Sequence, residues 1–346
     1  MITRGRLRAQ SCGSSSRWAT RRRLVIAFGA STLVAPFAAF AQQQPAKISR
    51  IGFLSPTSAS GSALFLEQFQ AGLRDLDYVA GKNVIVDYRW ADGNYERLSE
   101  LAVQLAQSKA DVIVAATSPA VQALQKATTA IPIVFAGVGD PVGGGFVASL
   151  SHPGGNITGL SNIGIDVSDK YLELLRVAVP KLSRVAVLVN PGHPAHPARL
   201  KKIENTAKTI GISVSPVRAG TAKQIDAAVG PMTQARAGAL IVLPDPYFRA
   251  QVRQIAELAM RNHLPTMFWS REFPAAGGLM SYGQYDAENF RRVASYIDKI
   301  LKGAKAGDLP VQQATKLELV INLKTAKAIG LTIPPEMVLR ADKVIE

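Results

Sequence analysis

From Lys47 onward the chain alternates short apolar, β-branched runs with longer amphipathic stretches. The runs 50–54, 84–88, 111–115, 133–136 and 157–160 read as strands. A second series at 184–189, 213–217, 239–243, 266–269 and 279–281 follows the same pattern without repeating the sequence. Helical spacing fills the gaps. Phe65, Phe69, Leu73 and Leu76 recur along one face of 63–76, and 95–107 is a second such stretch. Strands this apolar, separated by helices, require parallel sheets covered on both faces. The pattern therefore predicts an α/β protein of two doubly wound parallel-sheet lobes.

Three junctions interrupt the alternation. The segment "SHPGGNITGLSNIGID" (151–166) separates the two strand series. "SYGQYD" (281–286) ends the second series and leads into a long helix at 287–301. "KGAKAGDLPVQQATK" (302–316) precedes a last strand at 317–323 and a short helix at 325–329. Several chain passages between two lobes would make a hinge.

Strand after strand ends in small, polar, Gly or Pro residues. These ends are Ser55-Pro56-Thr57-Ser58, Thr117-Ser118-Pro119, Gly139-Asp140-Pro141, Asn190-Pro191-Gly192, Pro244-Asp245-Pro246-Tyr247 and Ser270-Arg271-Glu272. In open parallel sheets ligands bind outside the carboxyl ends of the strands. Any single loop of this kind is ordinary; their recurrence in both series points to a cleft between the lobes. In "DVIVAATSPAVQAL" (111–124) the hydroxyls of Thr117 and Ser118 open a helix. They can cap it, with Pro119 in its first turn. They can also join its free N–H groups in holding an anion.

Motifs for covalent chemistry are weak or missing. "GVGDPVGGG" approaches a dinucleotide fingerprint through Gly137 and Gly139, but Val142 stands where the third glycine belongs. No phosphate-binding loop of the G-x-x-x-x-G-K-[ST] form occurs, and "GLSNIG" has the wrong spacing for a nucleophile elbow. His193 and His196 lie three apart in "NPGHPAHP", where three prolines argue for a loop. His152 and His263 have no close acidic or histidine neighbour in sequence. No metal and no cofactor is expected.

The first 41 residues have another purpose. Seven arginines and no acid precede an apolar run at 24–40, and Ala39-Phe40-Ala41 offers a cleavage site before Gln42. This is the three-part form of a secretory signal peptide. "TRRRLV" (20–25) also resembles a twin-arginine signal, so both export routes stay open. Cys12, the only cysteine, precedes the apolar run, which excludes disulfides, thiolate metal sites and a lipid anchor from the mature chain. The formal charge of +15 shrinks without the leader, leaving 33 basic residues against 25 acids. They are dispersed, without the basic clusters and interleaved aromatics of nucleic-acid binding.

Four long phrases carry a resemblance: "GLRDLDYVAGKNVIVDYRWADGN", "TSPAVQALQKATTAIPIVFAGVGDPV", "SREFPAAGGLMSYG" and "LELVINLKTAKAIGLTIPPEMVLRADKVIE". Together they resemble the ABC-transporter substrate-binding proteins of the tryptophan-binding type, over essentially all of 47–346. The resemblance implies a type I periplasmic-binding-protein fold with three crossovers. One lobe would comprise 47–163 plus 284–312, the other 164–283 plus 313–346. It also implies a monomer free in the periplasm that presents a small molecule to a membrane permease and its ATPase. The ligand class implied is an amino acid or similar small anion, aromatic ones included. Its carboxylate would meet Thr117 and Ser118, and its ammonium an acid of the second lobe, Glu272 before Asp245. Ser55, Asp140, Asn190 and Tyr247 complete the expected set. Two alternatives remain at this stage: an exported α/β enzyme such as a hydrolase, and a sensor subunit that reports ligand to a membrane receptor.

Overall fold

The computed structural model describes residues 48–162, 167–313 and 316–346. The leader, its cleavage site and the expected first change of lobe at 163/164 lie outside the described residues. In chain order the strands are β1 (Ser49–Ser55), β2 (Val84–Trp90), β3 (Val112–Ala115), β4 (Ile133–Val138), β5 (Ile157–Ser161), β6 (Arg184–Val189), β7 (Ser213–Arg218), β8 (Ala239–Val242), β9 (Thr266–Phe268), β10 (Met280–Gly283), β11 (Gln312–Gln313), β12 (Glu318–Asn322) and β13 (Lys343–Ile345). They form two sheets, ordered β11-β5-β4-β3-β1-β2 and β13-β12-β10-β9-β8-β6-β7. This is the α/β architecture of the type I periplasmic binding fold.

The second sheet is not wholly parallel, because β12 runs antiparallel to β10. Between these two strands the chain leaves for the first sheet, where it forms the Ala287–Leu301 helix and β11, and it re-enters from the opposite direction. Neither β11 nor β13 was foreseen; two or three residues are too few to show a period. Gln313 pairs with Ser161 in the first sheet, so the boundary expected after 312 falls one residue short.

Period-two alternation along β1 divides the first core into two layers. Ile51 and Phe53 face one way, toward Phe69 and Leu73 of the Ala63–Arg74 helix and Phe290, Val293 and Ile297 of the Ala287–Leu301 helix. Leu54 faces the other, with Ile113 and Phe135, toward Leu98, Leu101 and Leu105 of the Arg97–Gln107 helix and Val121 and Leu124 of the Ser118–Ala127 helix. Gly72 lets the first pair of helices touch: a Cβ there would lie 2.2 Å from the carbonyl oxygen of Arg291. The second sheet is covered by one continuous core in which Val185, Val187, Leu240 and Ile241 are fully buried.

Strand order then locates the site. In the first sheet the order reverses between β1 and β3, and in the second between β6 and β8. A crevice forms at such reversals, outside the strand ends, because the connections depart to opposite faces. Ser55 ends β1 and Thr117 follows β3, while Asn190 follows β6 and Asp245 follows β8.

Candidate functional site

A cavity lies between the two sets of strand ends. On the first-sheet side its wall carries a cluster of hydroxyls. Thr57 Oγ1 lies 2.6 Å from Ser62 Oγ and 3.1 Å from Ser55 Oγ. Beside them Thr117 takes the extended backbone of a helix cap, φ −162° and ψ 174°, yet its side chain makes no capping bond. Thr117 Oγ1 is buried, with no hydrogen-bond partner among the described residues. Ser118, also buried in the wall, begins the Ser118–Ala127 helix. The Phe65 and Phe290 rings stack at 4.6 Å and, with Trp269, give the cavity aromatic surface.

On the other side Asp245 caps the Pro246–Ala250 helix. Its Oδ1 accepts from the Phe248 N–H at 2.9 Å, and its Oδ2 accepts from the Tyr95 hydroxyl at 3.1 Å. Burial pushes its pKa up to about 6, against the pull of these donors and the Asn190 amide. Arg249 spans the site, stacking over Phe65 at 5.0 Å and Trp269 at 5.5 Å. Its guanidinium donates to Asp286 at 2.5 Å, Glu272 at 3.1 Å and Ser270 at 3.2 Å. Asp286 also accepts from Asn162 and Gln284, each at 3.1 Å. Burial raises the Asp286 pKa, opposed chiefly by Arg249.

The expected residues therefore divide. Ser55, Thr117, Ser118 and Asp245 line the cavity. Glu272, the acid expected first, is not in its wall; Arg249 and the Ser270 hydroxyl hold its carboxylate. A short turn at residues 272–275 places Glu272 behind Arg249. Asp140 is taken up by its own turn, accepting from the Gly143 N–H at 2.8 Å. Asn190 braces its loop through the Gly192 N–H at 3.0 Å, and the Tyr247 ring covers Gly93 outside the wall. Arg199, Arg249, Asn162 and Asp286 line the cavity without having been foreseen. Arg199 had a signal in the sequence: it shares the buried stripe of His196, Ile203 and Ala207, where helical spacing calls for an apolar residue.

His193, His196 and Asp245 bring possible metal-ligand atoms within 4.8 Å of one another. The donors do not suit a metal. His196 Nδ1 accepts from the Asn190 N–H at 2.8 Å, and its Nε2 donates to the Pro244 carbonyl at 3.0 Å. With both nitrogens engaged, only His193 and Asp245 could coordinate, fewer than the three or four ligands zinc requires. Burial lowers the His196 pKa to about 4 and holds that of His193 well below its usual value, so both rings are neutral.

Two sheets whose reversal points face a shared, partly aromatic cavity define a small-molecule binding protein. The chain belongs to the ABC transporter substrate binding protein family, whose model matches residues 50–345. It is 28% identical over 265 residues to a tyrosine-binding protein of Clostridioides difficile, covering 76% of this chain and 75% of that one. Among solved structures it is similar to a conserved domain protein from Vibrio cholerae, with 28% identity and a TM-score of 0.81 over 86% of this chain and 100% of that one. It is also similar to the ABC domain from Streptococcus pneumonia in complex with L-Trp, with 26% identity and a TM-score of 0.79 over 86% and 99% of the two chains. Members of this family are binding proteins rather than enzymes: they capture a small molecule outside the cytoplasmic membrane for the permease of an ABC transporter. No helix of the described residues is long and apolar enough to cross a membrane.

Proposed function

We propose that this protein is a periplasmic receptor of an ABC importer whose ligand is a small carboxylate, an amino acid or similar anion with an aromatic part. The observation that carries this reading is the Thr117 hydroxyl, buried and unpartnered at the start of a helix in the cavity wall. A buried polar atom without a partner is rare and demands an explanation. A carboxylate supplies one, accepting from that hydroxyl and from the helix's first N–H groups, with the dipole adding attraction. The Phe65, Trp269 and Phe290 rings suit a flat apolar body. The tyrosine-binding relative and the L-Trp complex support the same class.

In this reading Ser55, Thr117 and Ser118 contact the ligand from the first lobe, and Asp245, rather than Glu272, is the expected acid that lines the cavity from the second. Asp140, Asn190 and Tyr247 support the surrounding loops. The first lobe comprises 47–163 plus 284–313, and the second 164–283 plus 314–346. Ligand touches both lobes only when they are closed, so binding shifts the population toward the closed form. Residues 1–41 are a signal peptide removed on export by either route, and the mature protein acts as a monomer. A thermal-shift screen of the mature chain against amino acids, aromatic acids and sugars tests the ligand class. Ligand at 100 times its dissociation constant adds about 2.7 kcal/mol of stability. Stabilisation by sugars and by no carboxylate would overturn the reading.

A further inference from the structure

Two arginines line the cavity, and their circumstances are opposite. Arg249 is held by Asp286, Glu272 and Ser270. Arg199, on the buried face of the His196–Thr209 helix, is only 5% exposed. Its Nε has no acceptor among the described residues, and no carboxylate forms an ion pair with its guanidinium there. Burial pulls its pKa down, and Tyr171, Asp140 and Asp286 offset this only through electrostatic attraction. A guanidinium has five N–H donors and cannot shed its charge in a protein, so leaving it dry and unpaired is costly.

The acids of the wall are in the reverse condition. Asp245 is engaged by Phe248, Tyr95 and Asn190, and Asp286 by Arg249, Asn162 and Gln284. An incoming ammonium would have to displace a protein donor from one of them. An incoming anion meets the Arg199 Nε and the Thr117 hydroxyl, neither of which has an acceptor among the described residues. His193, neutral in the same wall, supplies no competing charge.

We propose that Arg199 is the anion-recognition residue of the cleft, and that the ligand is a carboxylic acid lacking an α-ammonium group rather than a zwitterionic amino acid. This rests on the reading of a carboxylate ligand in the cavity and narrows it. The guanidinium fork lies on the second-sheet side and the Thr117 hydroxyl on the first. One carboxylate shared between them ties closure to the negative charge of the ligand.

Calorimetry on the unaltered mature chain compares three matched pairs: L-tryptophan with indole-3-propionate, L-tyrosine with 3-(4-hydroxyphenyl)propionate, and L-leucine with 4-methylpentanoate. At least one des-amino acid should bind about tenfold or more tightly than its amino acid. Arg199→Gln should then weaken that acid by about tenfold or more, the scale of a hydrogen bond to a charged group. Arg199→Lys, which keeps the charge but loses the fork, should fall between. Arg199→Met should melt at a higher temperature than the unliganded parent, because it removes a buried unpaired charge; a merely structural arginine would give a lower one. If amino acids bind as tightly as their partners, or Arg199→Gln binds like the parent, this proposal falls and the carboxylate reading stands. If no member of any pair binds, both fall together.

Discussion

The Tyr95 hydroxyl, following the second strand of the first sheet, donates across the cleft to Asp245 Oδ2 at 3.1 Å. The Tyr95 hydroxyl oxygen also accepts from the Tyr247 N–H at 3.4 Å, so one phenol engages two groups of the opposite side. Burial and the Asp245 charge keep the Tyr95 pKa well above its ordinary value, so it remains a donor at neutral pH. Tyr95→Phe keeps the ring and removes only this bridge. A hydrogen bond to a charged group contributes about 1.5–3 kcal/mol. If the bridge helps hold the closed form, the variant should bind ligand roughly 10- to 100-fold more weakly, with little change in melting temperature. Parent-like affinity in calorimetry would mean that the contact contributes nothing to closure.

Much of this arrangement is legible in the sequence because it depends on local periodicity. β1 and β6 are apolar runs bounded by turns, and Ser55, Thr117 and Asp245 follow from strand ends at the two reversal points. What escapes is pairing between distant segments. Glu272 occupies a plausible strand end, but Arg249, 23 positions earlier, neutralises it. Asp286 reads as a junction residue until Asn162, 124 positions away, is seen to hold it in the wall. Arg199 is the intermediate case. Its place on an apolar stripe is visible in the sequence, but that its Nε finds no acceptor among the described residues is visible only in three dimensions.

Stability should depend on pH through opposing groups. The His196 pKa falls from 6.5 to about 4 on folding, so the unfolded chain binds more protons in that interval. Stability therefore rises with pH from about 4 to 6.5, and His193 acts in the same direction. Asp245 opposes them: its pKa rises from 3.8 to about 6, so its contribution is full below 3.8 and lost as pH climbs through 6. About two pKa units correspond to roughly 3 kcal/mol. Asp245→Asn removes the opposing contribution while still able to accept the Phe248 N–H. Its stability in urea should climb more steeply than the parent's between pH 4 and 6. Parallel profiles would show that Asp245 does not titrate in this window.

Gly72 offers a test of how the returning helix is seated. In an open helix Gly→Ala gains about 1 kcal/mol of propensity. Here the added methyl would meet the Arg291 carbonyl at 2.2 Å, a backbone atom that cannot rotate away. Overpacking of this kind costs about 1–3 kcal/mol. Gly72→Ala should unfold at lower denaturant and bind ligand less well, since the displaced helix carries Phe290 into the cavity wall. A stabilised variant would mean that the two helices separate easily.

Thr117 separates a structural hydroxyl from a functional one by the sign of its effect. Were it a helix cap, Thr117→Val would destabilise the protein by about 0.5–2 kcal/mol. Its side chain makes no capping bond, and its oxygen is buried without a partner among the described residues. Replacing it by an isosteric methyl therefore removes a desolvated polar atom and leaves nothing unpaired in exchange, so the unliganded variant should be as stable as the parent or more so. Ligand should reveal the opposite effect. The donor lost is one to a charged carboxylate, about 1.5–3 kcal/mol, or roughly 10- to 100-fold in affinity. Thr117→Ser keeps the hydroxyl and should retain most of the binding. Urea unfolding without ligand and calorimetry with it give both readings on the same preparations. Lower stability with unchanged affinity in Thr117→Val would make the hydroxyl a structural feature of the helix start and remove it from the binding site.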